Sequence, residues 1–204
     1  LKAMINNKNF VRIISGKYKS RKITFPDRPE IRPTGNRIRE SLFNWIQADI
    51  VNSRCLDLFS GSGALGIEAL SRGAETTTFI ESDFETANCL EKNLRILNAE
   101  NGVVVRANAI SWLESQKNIE PFGFVFLDPP FKKNILLDCI SLLENNYMIP
   151  NNGIIYIETE TETNLEQLPL TWRLKQKKQA GRVSYCLYHK IDKKGEPSLP
   201  CCQS

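Results

Sequence analysis

The chain has 204 residues, 41% hydrophobic and 25% charged, with a net charge of +4, which suits one α/β domain with a substantial core. No run of about 18 apolar residues exists and the N-terminus lacks a signal-peptide core, so neither a membrane span nor a membrane partner is expected, and a cytoplasmic location is. Six cysteines without a C-x-x-C pair and a single histidine, His189, exclude the common zinc patterns and histidine-dependent nucleophiles; no metal is expected, and such cysteine usage suits a reducing compartment.

Charge is unevenly spread. Through Ser53 there are 11 Lys or Arg against 4 Asp or Glu, and beyond it 16 against 19, balances of +7 and −3. A basic segment over 1–53, packed on a near-neutral domain over 54–192, suggests a polyanionic partner. Val11 to Gly16 and Arg21 to Phe25 read as a small β-hairpin about a Ser-Gly turn, flanked by Arg12, Lys17, Lys19, Arg21 and Lys22. A solvated basic face is the plainer alternative. Next, apolar residues at 38, 42, 45, 46 and 50 follow helical spacing, with Thr34 or Asn36 as the cap and Arg37 and Glu40 three apart on one face. Arg32, Arg37 and Arg39 extend the set of candidate nucleic-acid contacts.

Cys55 to Phe59 reads as a buried strand, followed by Ser60-Gly61-Ser62-Gly63-Ala64-Leu65-Gly66 and a helical pattern through Leu70. Glycines at a strand-to-helix turn let a ligand approach the backbone, and the amides of the helix start face it. Gly61, Gly63 and Gly66 satisfy the dinucleotide fingerprint, and Glu81 ends the next apolar run near the spacing of a ribose-binding carboxylate, so a nicotinamide or flavin enzyme is one reading. Asp57 opposes it: an acid within the first strand suits a ligand bearing an ammonium and a sulfonium better than a pyrophosphate. Val103 to Val105 then leads to Asn108, either a ligand-reading amide or a helix cap.

Phe122 to Leu127 reads as another buried strand, and Asp128-Pro129-Pro130-Phe131 follows it. Prolines stiffen the backbone and remove amide donors, which leaves the preceding carbonyls free to accept. With the Asp128 carboxylate and the flat face of Phe131, this package can grip a planar group bearing an amine, such as a base. The bland reading is a strand ending in a Pro-Pro turn. Strands near 54–59, 76–81, 102–107, 122–128, 153–159, 171–178 and 183–190 alternate with helices near 64–72, 84–98, 109–116 and 134–146, the last two strands pairing antiparallel. Such alternation gives a doubly wound, mostly parallel sheet with its ligand at the carboxyl ends of the strands. Residues 193–204, with Cys201 and Cys202, read as a flexible tail; Cys55 and Cys186 read as core and His189 as a strand residue.

D-x-F-x-G-x-G resembles motif I of the class I, Rossmann-like methyltransferases, and Asp-Pro-Pro-Phe resembles the tetrapeptide of amino-group methyltransferases that use S-adenosylmethionine. Arg32-Pro33-Thr34 through Trp45 resembles the N-terminal motif of the bacterial RsmD family of 16S rRNA guanine-N2 methyltransferases, with Gly35-Asn36 where that family often has Thr-Asp. The resemblance implies S-adenosyl-L-methionine held by Asp57, Phe59, Ser60, Gly61, Ser62, Gly63, Glu81, Ser82, Asn108, Ala109 and Asp128. It implies catalysis by Asp128, Pro129, Pro130 and Phe131 on one guanine, the guanine-966 site, in 16S rRNA of the small subunit or its assembly intermediate, by a monomer. Adenine-N6 and protein-glutamine methyltransferases share this tetrapeptide type and stay open, as does a non-catalytic RNA-binding factor.

Overall fold

The computed structural model describes residues 9–28, 31, 33–130, 135–161, 163, 165 and 167–192. Phe131, Arg32 and the tail with Cys201 and Cys202 lie outside the described residues. The elements run β1 (Asn9–Arg12), β2 (Lys22–Phe25), α1 (Asn36–Trp45), β3 (Arg54–Asp57), α2 (Ala64–Ser71), β4 (Thr76–Glu81) and α3 (Phe84–Leu97), then β5 (Gly102–Arg106), α4 (Ala109–Ser115), β6 (Phe124–Leu127), α5 (Ile135–Asn145), β7 (Ile154–Glu160), β8 (Trp172–Ala180) and β9 (Val183–Lys190).

Seven strands form one sheet in the order β5-β4-β3-β6-β7-β9-β8. The first five are parallel, and only β9 runs against its neighbours. This is the doubly wound, mostly parallel architecture that the strand–helix alternation implies. Its central strands are buried on both faces and so read as continuous apolar runs: all four residues of β6 and the first six of β7 are buried. β8 forms one edge; its exposed Arg173, Lys175, Lys177 and Lys178 protect that edge from pairing with another chain.

One core layer lies between the sheet and α4 and α5, with Leu56, Val125, Ile157, Leu113, Ile140 and Leu143 among its members. The other lies against α1 and α2: Leu42, Phe43 and Ile46 meet Cys55, Phe126, Tyr156 and Leu187. The hairpin β1–β2 adds a third cluster, in which Val11, Ile13 and Ile23 pack on Ile67, Leu90 and Leu94 of α2 and α3. The segment before residue 54 therefore contributes to the same cores as the sheet. Cys55 and Cys186 are core residues and His189 is a strand residue, as expected.

Two expectations at α1 require correction. Gly35, with no side-chain hydrogen bond, is its N-cap, in place of Thr34 or Asn36. Thr34 turns its hydroxyl to Asp128 at 3.3 Å, and Asn36 Oδ1 accepts from the Arg39 guanidinium at 2.7 Å, so both side chains are committed elsewhere. Arg39 is not a surface contact for nucleic acid. It is fully buried, pairing with Glu68 of α2 at 3.5 Å and donating to the carbonyls of Thr34 and Arg12. Arg37 and Glu40 form no ion pair with each other among the described residues.

Candidate active site

The carboxyl ends of β3, β4, β5 and β6 bring Asp57, Glu81, Asn108 and Asp128 to one rim of the sheet. After β3 the chain turns sharply. The Ser60 hydroxyl donates to the Asp57 carbonyl at 2.8 Å, and the Gly63 amide donates to the Ser60 carbonyl at 2.7 Å. Gly63 caps α2 at φ 76°, a left-handed conformation that favours glycine. Gly66 is required for another reason: a Cβ there would lie 2.3 Å from the Phe79 ring, so α2 can sit this close to β4 only without a side chain. Ser62 and Ala109 are buried, Phe59 is half-buried against the α4–α5 core, and Ser82 is exposed on the rim.

The buried Asp57 carboxylate accepts the Gly66 amide at 3.0 Å. Burial pushes its pKa up to about 7, with the Glu81 charge adding to the rise and the Gly66 bond opposing it. An acid held this way is poised to gain a cation. Glu81 accepts from the Gly61 amide at 2.9 Å through one oxygen and from the Asp83 amide at 2.8 Å through the other. It thereby fixes the glycine loop, and each oxygen keeps a lone pair for a hydroxyl. Asn108 caps α4, its side-chain oxygen accepting from Ser111 N at 3.2 Å, and remains exposed at the rim. A Cβ on Gly61 would meet nothing within 4 Å, so the loop leaves open space beside these groups. A buried acid, a carboxylate with lone pairs to spare and an exposed amide around open backbone fit an aminoacyl nucleoside such as S-adenosyl-L-methionine.

Asp128, half-buried, follows β6, with Pro129 buried and Pro130 exposed. Its carboxyl is pushed well above the ordinary range by burial first, then by Glu158 and Asp57, against the Thr34 hydrogen bond. Glu158 of β7 is raised by burial as well, opposed by hydrogen bonds from Tyr156 and Thr34. Thr34, Tyr156 and Glu158 were missed as site residues. The available signal was an acid in the apolar run of β7, the same cue that marks Asp57 in β3.

The family described as Conserved hypothetical protein 95 matches residues 11–189. Ribosomal RNA small subunit methyltransferase D of Escherichia coli (strain K12) is 47% identical over 180 residues, covering 88% of this chain and 90% of that relative. The chain belongs to the RsmD family. The Haemophilus influenzae protein of the same name is 46% identical over 186 residues, covering 90% of this chain and 95% of its own. The solved yhhF structure from Escherichia coli superposes with a TM-score of 0.83 at 45% identity, covering 90% of this chain and 99% of that one. In this RsmD chain Arg12, Lys17, Lys19, Arg21, Lys22 and Arg37 are all exposed. Arg21 also donates to the Ile96 carbonyl at 3.1 Å, and Lys22 stands 4.3 Å from the centre of the exposed Phe10 ring. The hairpin thus presents cations and an aromatic on one surface, while its apolar face is spent on α2 and α3.

Proposed function

We propose that this chain methylates the exocyclic N2 amine of one guanine in small-subunit 16S rRNA, the guanine-966 site, using S-adenosyl-L-methionine. What supports the reading is the family membership together with one observation: Asp57, Glu81, Asn108 and Asp128 share a rim at the end of an Asp-Pro-Pro strand exit. S-adenosyl-L-methionine, when bound, supplies a methyl group whose bond to a positively charged sulfur breaks as the new N–C bond forms. Asp57 and the 60–63 loop hold the methionine portion, Glu81 takes the ribose hydroxyls, and Asn108 and Ala109 border the adenine, with Phe59 and Ser82 beside them. Asp128 and the Pro129 carbonyl accept hydrogen bonds from the amine. This fixes the nitrogen and favours the geometry in which its lone pair leaves the ring conjugation. Phe131 stacks on the base once it is flipped out. Positioning supplies most of the rate, and no covalent enzyme intermediate is needed. Arg12, Lys17, Lys19, Arg21, Lys22, Arg32 and Arg37 contact the RNA backbone, so affinity falls steeply with salt.

The test is incubation with radiolabelled S-adenosyl-L-methionine and small subunits lacking the methyl group, with naked 16S rRNA in parallel, followed by nucleoside identification. Label in N2-methylguanosine is expected. Label in N6-methyladenosine, or in protein only, would replace the substrate assigned here.

The role of Asp57 carries a separate prediction. Its carboxyl must be ionised to pair with the ligand's ammonium, and in the free protein it titrates at about 7. Cofactor affinity should therefore weaken as pH falls below about 7. Asp57→Asn keeps the acceptor for Gly66 N but removes the charge, and should weaken binding roughly a hundredfold, the scale of a lost buried charge pair. The folded-state pKa lies above the ordinary value, so the stability linked to Asp57 is present at low pH and lost as pH rises through about 7. Asp57→Asn should accordingly raise the melting temperature of the free protein at pH 8 to 9. Calorimetric titration and thermal melts across pH measure the two effects, and unchanged affinity would remove Asp57 from the site.

A further inference from the structure

β6 and β7 are parallel neighbours whose last paired residues are Leu127 and Ile157. The residue after each is an acid, Asp128 just past the end of β6 and Glu158 within β7, so the register sets two carboxyls side by side. Two positions earlier Phe126 pairs with Tyr156, and the Tyr156 hydroxyl donates to Glu158 Oε2 at 2.9 Å. From the other side the Thr34 hydroxyl donates to Asp128 Oδ2 at 3.3 Å and lies close enough to Glu158 to favour that acid's ionised form as well. Among the described residues neither acid forms an ion pair, and the further charge facing Asp128 is Asp57, itself facing Glu81.

This arrangement fixes a proton inventory. Thr34 has one hydroxyl hydrogen and two carboxyl neighbours. If it donates to an ionised Asp128, its lone pair can accept a proton-bearing oxygen of Glu158. One proton on the pair satisfies every donor and acceptor, whereas two adjacent carboxylates in a buried site repel.

We propose that Glu158 is a positioning residue for the transfer reaction: with Thr34 it holds Asp128 as the ionised member of a carboxyl pair carrying one proton, ready to take the proton that the methylated amine sheds. The inference rests on the reading of Asp128 as the amine-binding group. When the nitrogen lone pair becomes the N–C bond, the nitrogen carries one proton in excess. That proton passes to Asp128, so the pair goes from one proton to two and from a charge of −1 to neutral. It is released when product leaves and the site reopens to water. Glu158 touches neither substrate nor cofactor; it acts by setting the basicity of Asp128 and by keeping Thr34 in place.

The experiment is the pH profile of kcat on the rRNA substrate for wild type, Glu158→Gln, Tyr156→Phe and Thr34→Val. Glu158 is the neutral member of the pair, so Glu158→Gln removes the proton that the pair shares: the alkaline step at which the pair goes from one proton to none should disappear, and the acid limb should move to higher pH by up to about one unit. Tyr156→Phe removes a donor that favours ionised Glu158, so the alkaline step should move to higher pH while the acid limb stays nearer wild type. Thr34→Val removes the donor to Asp128 and should move the acid limb to higher pH. A merely structural role would lower activity or melting temperature with the limb unmoved, and that result overturns the proposal. The carbon-13 carboxyl titration of aspartate-labelled protein without substrate supplies a readout independent of turnover. An Asp128 midpoint unchanged in Glu158→Gln also overturns the proposal, whereas a shifted midpoint in a protein that labels no guanine sinks only the substrate reading.

Discussion

Asp128→Ala should abolish methyl transfer, lowering kcat/KM by roughly a thousandfold or more, while leaving cofactor affinity within about threefold of wild type. The size follows from what alanine removes: the acceptor that orients the amine and the base that takes its proton, each a contribution of about two to four powers of ten when a positioned group is lost. Cofactor binding should survive because the groups assigned to it, Asp57, Glu81 and the glycine loop, bond to one another and to backbone amides. Asp128→Asn separates the two roles, since an amide oxygen still accepts a hydrogen bond but cannot take a proton at neutral pH; it should retain more activity than alanine and lose the acid limb attributable to residue 128. The stability effect has the opposite sign. Because the folded-state pKa of Asp128 is raised, its linked stability is lost as pH climbs from the ordinary carboxylate range through that raised value. The alanine variant should thus melt no lower than wild type at neutral pH, and higher at pH 8 to 9. Single-turnover kinetics, calorimetric titration and thermal melts together test this, and simultaneous loss of cofactor binding would show that Asp128 belongs to the cofactor site.

The sequence reveals what is locally encoded. β3, β6 and β7 are continuous apolar runs because both faces of a parallel strand are covered, and the glycine-rich turn after β3 repeats a spacing that backbone geometry demands. Asp57, Glu81, Asn108 and Asp128 are visible because each polar residue ends, or interrupts, an apolar run. Contacts between elements are another matter. Thr34 occupies a favourable capping position, yet its hydroxyl reaches Asp128, 94 residues away in sequence. Glu158 and Tyr156 lie on a strand that is buried on both faces, so no alternation marks which side chains meet the site. Arg39 lies three, four and seven residues before Leu42, Phe43 and Ile46, on the face of α1 that is buried, whereas Arg37 lies before Glu40, Ser41 and Asn44 on the exposed one; the basic composition of the segment masks that difference. The partner of Arg39, Glu68, is an acid in the middle of a wholly buried helix, a local conflict that signals a long-range contact without naming its target.

That contact predicts a large stability loss. Glu68 is fully buried, and its carboxylate gathers four donors: the amides of Ile14 and Ser15 at 2.8 and 3.0 Å, Arg72 Nε at 2.8 Å and the Arg39 guanidinium at 3.5 Å. The two amides belong to the turn of the basic hairpin, while Arg39 ties α1 to the Arg12 carbonyl. Glu68→Ala strands a fully buried guanidinium and leaves two backbone amides without their acceptor. Breaking a buried pair by removing one partner costs about 3–5 kcal/mol, where replacing both partners with apolar residues of similar volume is often neutral. The melting temperature should fall by roughly 6–20 °C, given about 2–4 °C per kcal/mol for a chain of this size. The double variant Arg39→Met, Glu68→Leu should recover part of that loss through packing, but not the hairpin, whose amides remain unsatisfied. The hairpin carries most of the exposed cations assigned to RNA, so both variants should bind RNA more weakly, with a shallower dependence on salt, while cofactor affinity at the far end of α2 stays nearer wild type. A melting temperature within 2 °C of wild type for Glu68→Ala would show that the hairpin and α1 are held chiefly by their apolar contacts with α2, α3 and the sheet, and that this carboxylate is dispensable to the fold.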